Sequence, residues 1–292
     1  MNPIRLSVQI DSFTYPDGTA ALSDIRLEVR RGEFTGVLGS NGSGKTTLLK
    51  VMDGIIKDYS GSVLLDGKNI RKLSPRHIYR KMGLVFQNPD DQLFAQTVFE
   101  DVAFGPRNMG FPEHEVAERV RRSLQGVDMT ECSGKSIHHL SFGQKKRICI
   151  AGLLAMGHEI LLLDEPTAGL DPMGEYRMMQ LLTRLNRENG VSIVMATHSV
   201  DLVPLFLHRL HIMSRGTIAR EGTPEEVFTA PEEMADVKLR LPQIAELIYQ
   251  LKHEDQLPFD RIPLTIGEAR REIAEKMQSG KQPLWLHKKE LQ

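Results

Sequence analysis

Apolar and polar positions alternate over Ser7–Phe13, and again over Leu22–Val29, where Leu22, Ile25, Leu27 and Val29 are apolar. A period of two predicts strands with one face buried. Shorter runs are apolar at nearly every position: Phe34–Leu38, Ser62–Leu65, Met82–Phe86, Ile160–Leu163 and Val191–Ala196. Such runs predict strands covered on both faces, as in a parallel core. Between them the period changes to that of a helix. Thr46–Met52 reads as the first turns of one helix, and Pro112 and Glu113 open another, with Val116, Val120 and Leu124 inward. Ile148–Gly157 is a ten-residue apolar or glycine run, read as a buried helix. Asn88–Gly110, with its prolines, glycines and charges, reads as a long loop. Leu210–Met213 and Thr217–Ala219 read as a hairpin around Ser214-Arg215-Gly216, and Thr223 and Pro224 cap and start a helix. From about Pro231 glycine nearly disappears. Helices are expected from Leu241-Pro242-Gln243-Ile244 and over Ile266–Met277, the latter capped by Thr265. They make a small helical unit with no catalytic constellation, read as packing or dimerisation.

Strands alternating with helices predict an α/β fold. At 292 residues, one α/β domain of ordinary size and a smaller appendage are expected. The net charge of −1 gives no reason to expect a nucleic-acid partner. No stretch reaches the roughly 18–20 apolar residues that span a bilayer, and Met1–Arg5 lacks a signal-peptide core. A cytoplasmic protein is expected. Cys132 and Cys149 show no metal-type spacing and read as reduced structural thiols. The pairs His138/His139 and His208/His211 read as structural.

The chemistry concentrates at the ends of the buried strands. Gly39-Ser40-Asn41-Gly42-Ser43-Gly44-Lys45-Thr46 fits Gly-x4-Gly-Lys-Ser/Thr, a phosphate-binding loop set between a strand and a helix that continues with Thr47. Glycines let backbone N–H groups approach phosphate oxygens. Lys45 places an ammonium between the β- and γ-phosphates, and the Thr46 hydroxyl is placed to ligate Mg²⁺. Ile160–Leu163 ends in Asp164 and Glu165, at the edge where open α/β sheets bind ligands. Asp164 can hold Mg²⁺, and Glu165 can polarise an attacking water. His198 ends the next strand and can reach a γ-phosphate oxygen. Gln87 ends another, either turned to solvent or reaching a metal or water. Tyr15 is either a packed surface residue or an adenine-stacking ring. Leu140-Ser141-Phe142-Gly143-Gln144 is a capped helix start, or also a second anion-binding helix tip.

Taken together these residues resemble the ATP-binding subunit of an ABC transporter, over about residues 4–228. Gln87 resembles the family's Q-loop, Leu140–Gln144 its signature motif and Ile160–Glu165 its Walker B strand. Ala168-Gly169-Leu170-Asp171 resembles the D-loop, His198 the switch histidine and Tyr15 the adenine-stacking aromatic. Phe142 stands where the family pattern has glycine. The resemblance implies a P-loop fold with a mixed central sheet, an antiparallel β subdomain, an inserted helical subdomain at about 88–158, and a helical C-terminal domain over 229–292. It implies ATP and Mg²⁺. ATP is then held between Gly39–Thr47 of one copy and Ser141–Gln144 of a second, with Asp171 communicating across the interface. It further implies membrane subunits docking near residues 87–110 at the cytoplasmic face of the membrane.

Leu-Ser-Phe-Gly-Gln-Lys-Lys-Arg, the Asn88–Phe94 stretch and the tail prolines Pro242, Pro258 and Pro263 resemble energy-coupling-factor importers, especially the cobalt/nickel type. Vitamin uptake by the same kind of machine is the alternative. A soluble ATPase acting on nucleic acid or ribosomes predicts a coiled-coil insert or tandem ATPase domains, and the sequence has neither.

Overall fold

A computed structural model describes residues 2–228 and 231–278; the last fourteen residues of the C-terminal domain expected over 229–292, and Met1 of the N-terminal segment, lie outside the described residues. The first sheet is antiparallel. It is built from β1 (Ile4–Thr14), β2 (Ala20–Arg30), β4 (Ser60–Leu65) and β5 (Lys68–Asn69), in the order β2-β1-β4-β5. The second sheet contains β3 (Phe34–Leu38), β6 (Met82–Val85), β7 (Ile160–Asp164), β8 (Ser192–Thr197), β9 (Arg209–Ser214) and β10 (Thr217–Gly222). Its order is β10-β9-β3-β8-β7-β6. Neighbours are parallel from β9 to β6, and β10 closes the edge antiparallel to β9, which makes the sheet mixed.

The strict alternation of a strand explains how β7 can be apolar throughout. Leu161 and Leu163 face one hydrophobic cluster, shared with the helices; Ile160 and Leu162 face the other, shared with the antiparallel sheet. All four are fully buried. The same division puts Ile193 and Met195 on one side of β8, and Val194 and Ala196 on the other.

The phosphate-loop helix α1 (Lys45–Met52) packs between the two sheets, and α2 (Pro75–Tyr79) precedes β6. The helical layer comprises α3 (Val98–Asn108), α4 (Glu113–Gly126) and α5 (Phe142–Met156), followed by α6 (Pro172–Asn189) after β7. The expected loop at Asn88–Gly110 is corrected here: it holds a 3-10 turn at Pro89–Asp91 and the helix α3. Gly105 and Pro106 read as breakers, yet α3 forms. Thr97 and Glu100 make a reciprocal capping box, and Val98, Val102, Ala103 and Pro106 are buried in the helical layer. Pro106 falls in the last turn before the cap. The four helices α7 (Val203–Phe206), α8 (Pro224–Val227), α9 (Pro231–Asp236) and α10 (Gln243–His253) follow, and α11 (Ile266–Gln278) is the last described element.

The tail is stitched to the main body. Met234, Val237, Leu241, Ala245 and Leu264 belong to the large cluster, whereas Ile248, Phe259 and Ala269 form a small core of their own. Among the described residues no helix is long and apolar enough to cross a membrane.

Asp53 caps the C-terminal end of α1 and is buried. Burial pushes its carboxyl up to about 7, and the negative end of the helix dipole acts in the same direction. The native state therefore binds this proton more tightly than the unfolded chain does. The stability it confers is present below about pH 4, the unfolded carboxyl's range, and is lost as pH rises through about 7. Asp53→Asn is expected to raise the melting temperature at pH 8 and to raise it much less at pH 5, measured by thermal denaturation at both pH values.

Candidate functional site

The cleft forms where β3, β6, β7 and β8 end. Each strand delivers one chemical group to that edge, because parallel neighbours in register finish side by side. Two glycines shape the loop between β3 and α1. At Gly39 an added Cβ would lie 2.5 Å from the Met213 carbonyl oxygen, so only glycine lets the loop turn there. Gly44 caps α1 with a φ of 104°, in the left-handed region. Its successors Lys45, Thr46 and Thr47 begin the helix, whose first N–H groups have no intrahelical acceptor and point at the cleft.

Lys45 is buried, and its ammonium donates to the Gly39 carbonyl at 2.7 Å and the Ser40 carbonyl at 3.2 Å. It also stands 3.6 Å from Glu165 Oε1. The Thr46 hydroxyl donates to Asp164 Oδ2 at 2.7 Å, which ties α1 to the end of β7. Burial raises the Asp164 carboxyl above the usual carboxylate range, and the Thr46 hydrogen bond pulls against that shift. His198 Nδ1 lies 2.9 Å from Glu165 Oε1. Glu165 itself holds a φ of 48°, a conformation costly for a residue with a Cβ. Tyr15 bonds its hydroxyl to Thr47 Oγ1 at 2.9 Å and packs edge-on against Phe13.

Tyr15, Lys45, Thr46 and Glu165, with Asn41 and Gln87, line a hollow of about 400 Å³, and His198 lines the hollow beside it. Gln87 is exposed at the rim of the first, two residues past the end of β6. Three buried atoms in the neighbourhood have no hydrogen-bond partner: Ser43 Oγ, Asp164 Oδ1 and Glu165 Oε2. Unpaired buried oxygens on adjacent carboxylates suit a divalent cation and a water, so the residues present fit a Mg²⁺–nucleotide.

Ser141–Gln144 stand outside this hollow. Ser141 caps α5 in a reciprocal box with Gln144, which uses the Ser141 Oγ lone pair and the Gln144 side chain but leaves the hydroxyl proton and the Gly143 N–H to point outward. Ser141 and Phe142 are exposed. The Phe142 ring packs over Gly169, where an added Cβ would meet it at 2.9 Å. Asp171 caps α6 by accepting the Gly174 N–H at 2.5 Å and is also exposed. Among the described residues no group of histidines, cysteines and carboxylates could hold a metal by itself, and Cys132 and Cys149 are free and buried.

The family model for ABC transporters matches residues 22–168. The chain belongs to the ABC transporter family. A Geobacter sulfurreducens protein provisionally named an ABC transporter ATP-binding protein is 74% identical over 276 residues, covering 94% of this chain and 99% of that one. The energy-coupling factor transporter ATP-binding protein EcfA of Methanocaldococcus jannaschii is 50% identical, covering 89% of this chain and 94% of its own length. Among solved structures, CbiO1 of Clostridium perfringens, described as part of the ABC transporter complex cbiONQ, aligns with a TM-score of 0.73. It is 42% identical and covers 84% of this chain and 99% of that one. The ATP-binding cassette MJ0796, a dimer in a post-hydrolysis state bound to ADP and Pi, aligns with a TM-score of 0.67 at 27% identity, covering 75% of this chain and 98% of that one. The chain is accordingly an ABC ATPase: it binds ATP and hydrolyses it.

One residue that touches this ABC site escapes a reading of the sequence. Lys146 is 1% exposed, and its ammonium donates to the Glu165 carbonyl at 2.6 Å and the Ala168 carbonyl at 2.8 Å. Burial lowers it to about 8, an effect that the Glu165 charge opposes. It sits four residues before the buried Ile150, on the inward stripe of α5, and that spacing is the signal that marks it. Lys146 thereby joins the signature helix to the turn that carries Glu165. Lys146→Met leaves two carbonyls without their cation and is expected to lower the unfolding free energy by about 1–3 kcal/mol, measured in urea.

Proposed function

We propose that two copies of this chain close head to tail around two ATP molecules and that the closure drives an energy-coupling-factor importer. The observation that carries this reading is a separation. Lys45, Thr46, Asp164, Glu165 and His198 converge on one cleft, while the capped tip of α5 faces outward with unspent donors. A triphosphate in the cleft has one side covered. The Ser141 hydroxyl and Gly143 N–H of a second copy supply the other. The dimeric cassette bound to ADP and Pi supports this arrangement, as do the names of the EcfA relative and of CbiO1.

In this reading Gly39–Thr47 and Lys45 cradle the phosphates, with Ser40, Asn41, Gly42 and Ser43 forming the loop's rim and Tyr15 set against the base. Mg²⁺ would be held by Thr46, Asp164 and Gln87, and when bound it neutralises charge on the β- and γ-phosphates. The buried Glu165 carboxylate takes a proton from the attacking water as it approaches the γ-phosphorus. His198 steadies Glu165 through Nδ1 and leaves Nε2 for a γ-phosphate oxygen. Asp171 stands exposed at the head of α6, placed to meet the second copy. Phe142 replaces a glycine without removing either donor of the tip.

The stretch Gln87–Gly110 joins the cleft to the surface. Phe94 and Phe104 pack edge-on there and are 65% and 49% exposed, an apolar pair suited to helices of a membrane subunit at the cytoplasmic face. The cargo we propose is a transition metal ion, cobalt or nickel, on the resemblance of Leu140–Arg147 and the Asn88–Phe94 stretch to that branch. ATP-dependent uptake of Ni²⁺ or Co²⁺ into vesicles holding the chain and its membrane partners tests the cargo; uptake of a vitamin alone contradicts it.

Glu165→Gln is expected to cut hydrolysis by about 10²–10⁴-fold while retaining ATP binding and ATP-dependent dimerisation. Turnover assays with light scattering check both halves, and turnover at the wild-type rate refutes the role given to Glu165.

A further inference from the structure

A second hollow, about 680 Å³, opens beside the phosphate cleft, and its walls come from distant parts of the chain. One wall carries Asn41, Glu165 and His198. The other is Lys238, Leu239 and Arg240, at the entry to the C-terminal helices. His198 is half exposed and follows directly on β8; its ring is held by Glu165 Oε1 at 2.9 Å on one side and by the run of backbone that leads on from it on the other. That run, Ser199–Leu202, belongs to neither a strand nor a helix. It is held at its start by the Ser199 N–H, which donates to Thr197 Oγ1 at 3.1 Å.

The other end is held by the tail. Asp201 Oδ1 accepts from Arg240 Nη1 at 3.1 Å and from the Gln243 N–H at 2.9 Å, and Oδ2 accepts from Arg240 Nη2. The guanidinium is fixed in turn, because Nη1 also donates to the carbonyl of Leu241 at 2.9 Å, and Leu241 is fully buried in the main core. Gln243 is the first residue of α10, so a helix N-terminus and a two-pronged guanidinium grip one carboxylate. Both side chains are well exposed, and an exposed ion pair adds little stability. Its contribution is directional. Glu175 lines the same hollow; burial raises its carboxyl, His198 pulls it down and Asp201 pushes it up. Arg240 thus holds Asp201 in place against a like charge.

We infer that Arg240, with the Gln243 N–H, is a positioning element for hydrolysis: it fixes Asp201 and so sets where His198 stands against Glu165. This rests on the reading of His198 and Glu165 given above. Arg240 and Asp201 touch no substrate; they act through the loop. The C-terminal helices are then part of the hydrolytic apparatus as well as a packing unit.

The test is steady-state hydrolysis of Mg²⁺-ATP by the full chain, comparing Arg240→Ala, Arg240→Lys, Asp201→Asn, His198→Ala and the Arg240→Ala/His198→Ala double variant. Arg240→Ala is expected to lower kcat about tenfold and leave KM for ATP within about twofold. Arg240→Lys recovers part of the loss. The double variant is no slower than His198→Ala, because the clamp acts only through that ring. Asp201→Asn repeats the kcat loss from the other partner and carries the test if Arg240→Ala does not fold. Wild-type kcat in Arg240→Ala and Asp201→Asn beside an impaired His198→Ala overturns the inference, as do multiplying losses in the double variant. Wild-type kcat in His198→Ala overturns the role of the histidine instead.

Discussion

Two carboxylates at the end of a strand with no polar neighbours of its own must find their partners elsewhere in the chain. Asp164 and Glu165 are both buried, and burying a carboxylate without donors or cations is costly by several kcal/mol. The surrounding architecture meets that requirement. Thr46 reaches Asp164 from α1, while Lys45 and His198 reach Glu165 from α1 and β8. Lys146 satisfies the Glu165 carbonyl from α5, behind the carboxylate. The partners come from α1, from the end of β8 and from α5, so the site exists only when α1, the mixed sheet and the helical layer are assembled. The requirement is incompletely met: one oxygen of each carboxylate has no partner. In the proposed function, those two oxygens would be satisfied by a Mg²⁺–nucleotide and its water.

The parts that could be read from the sequence were the local ones. Gly39–Thr46 and Ile160–Glu165 declare themselves because their function needs residues adjacent in the chain: glycines for close approach, an apolar run to carry acids to a sheet edge. The strands other than β5, the hairpin at Ser214–Gly216 and the tail helices α10 and α11 follow from period and caps, whereas α6 and α9 are not among the elements expected from the sequence. The helix α3 did not follow, because Gly105 and Pro106 argue against it locally while the packing of Val98, Val102 and Ala103 argues for it tertiarily. Its capping box at Thr97 and Glu100 is the local signal in its favour. Lys146 was hidden in a basic run, since its partners are carbonyl oxygens about twenty residues away. Arg240 and Asp201, 39 positions apart, carry no mutual signature at all.

In the head-to-tail arrangement proposed above, one copy is an incomplete machine. Its cradle and its donor-bearing helix tip belong to the same chain but do not share a cavity. Lys146 and Phe142 nevertheless couple the tip mechanically to the turn after β7, through the Glu165 carbonyl and Gly169. In the proposed dimer, what the tip meets on a second copy would be transmitted to Glu165 of its own cleft. In the same proposal, opening and closing of the pair would pull on the exposed Phe94–Phe104 region, the site proposed for a membrane-embedded partner.

The most direct measurement of this account is a structure of the full-length Glu165→Gln chain with Mg²⁺ and ATP. Two chains related by a twofold axis are expected, each γ-phosphate lying between Lys45 of one and the Ser141 hydroxyl and Gly143 N–H of the other. A single chain enclosing ATP by itself, with Ser141 turned to solvent, would contradict it.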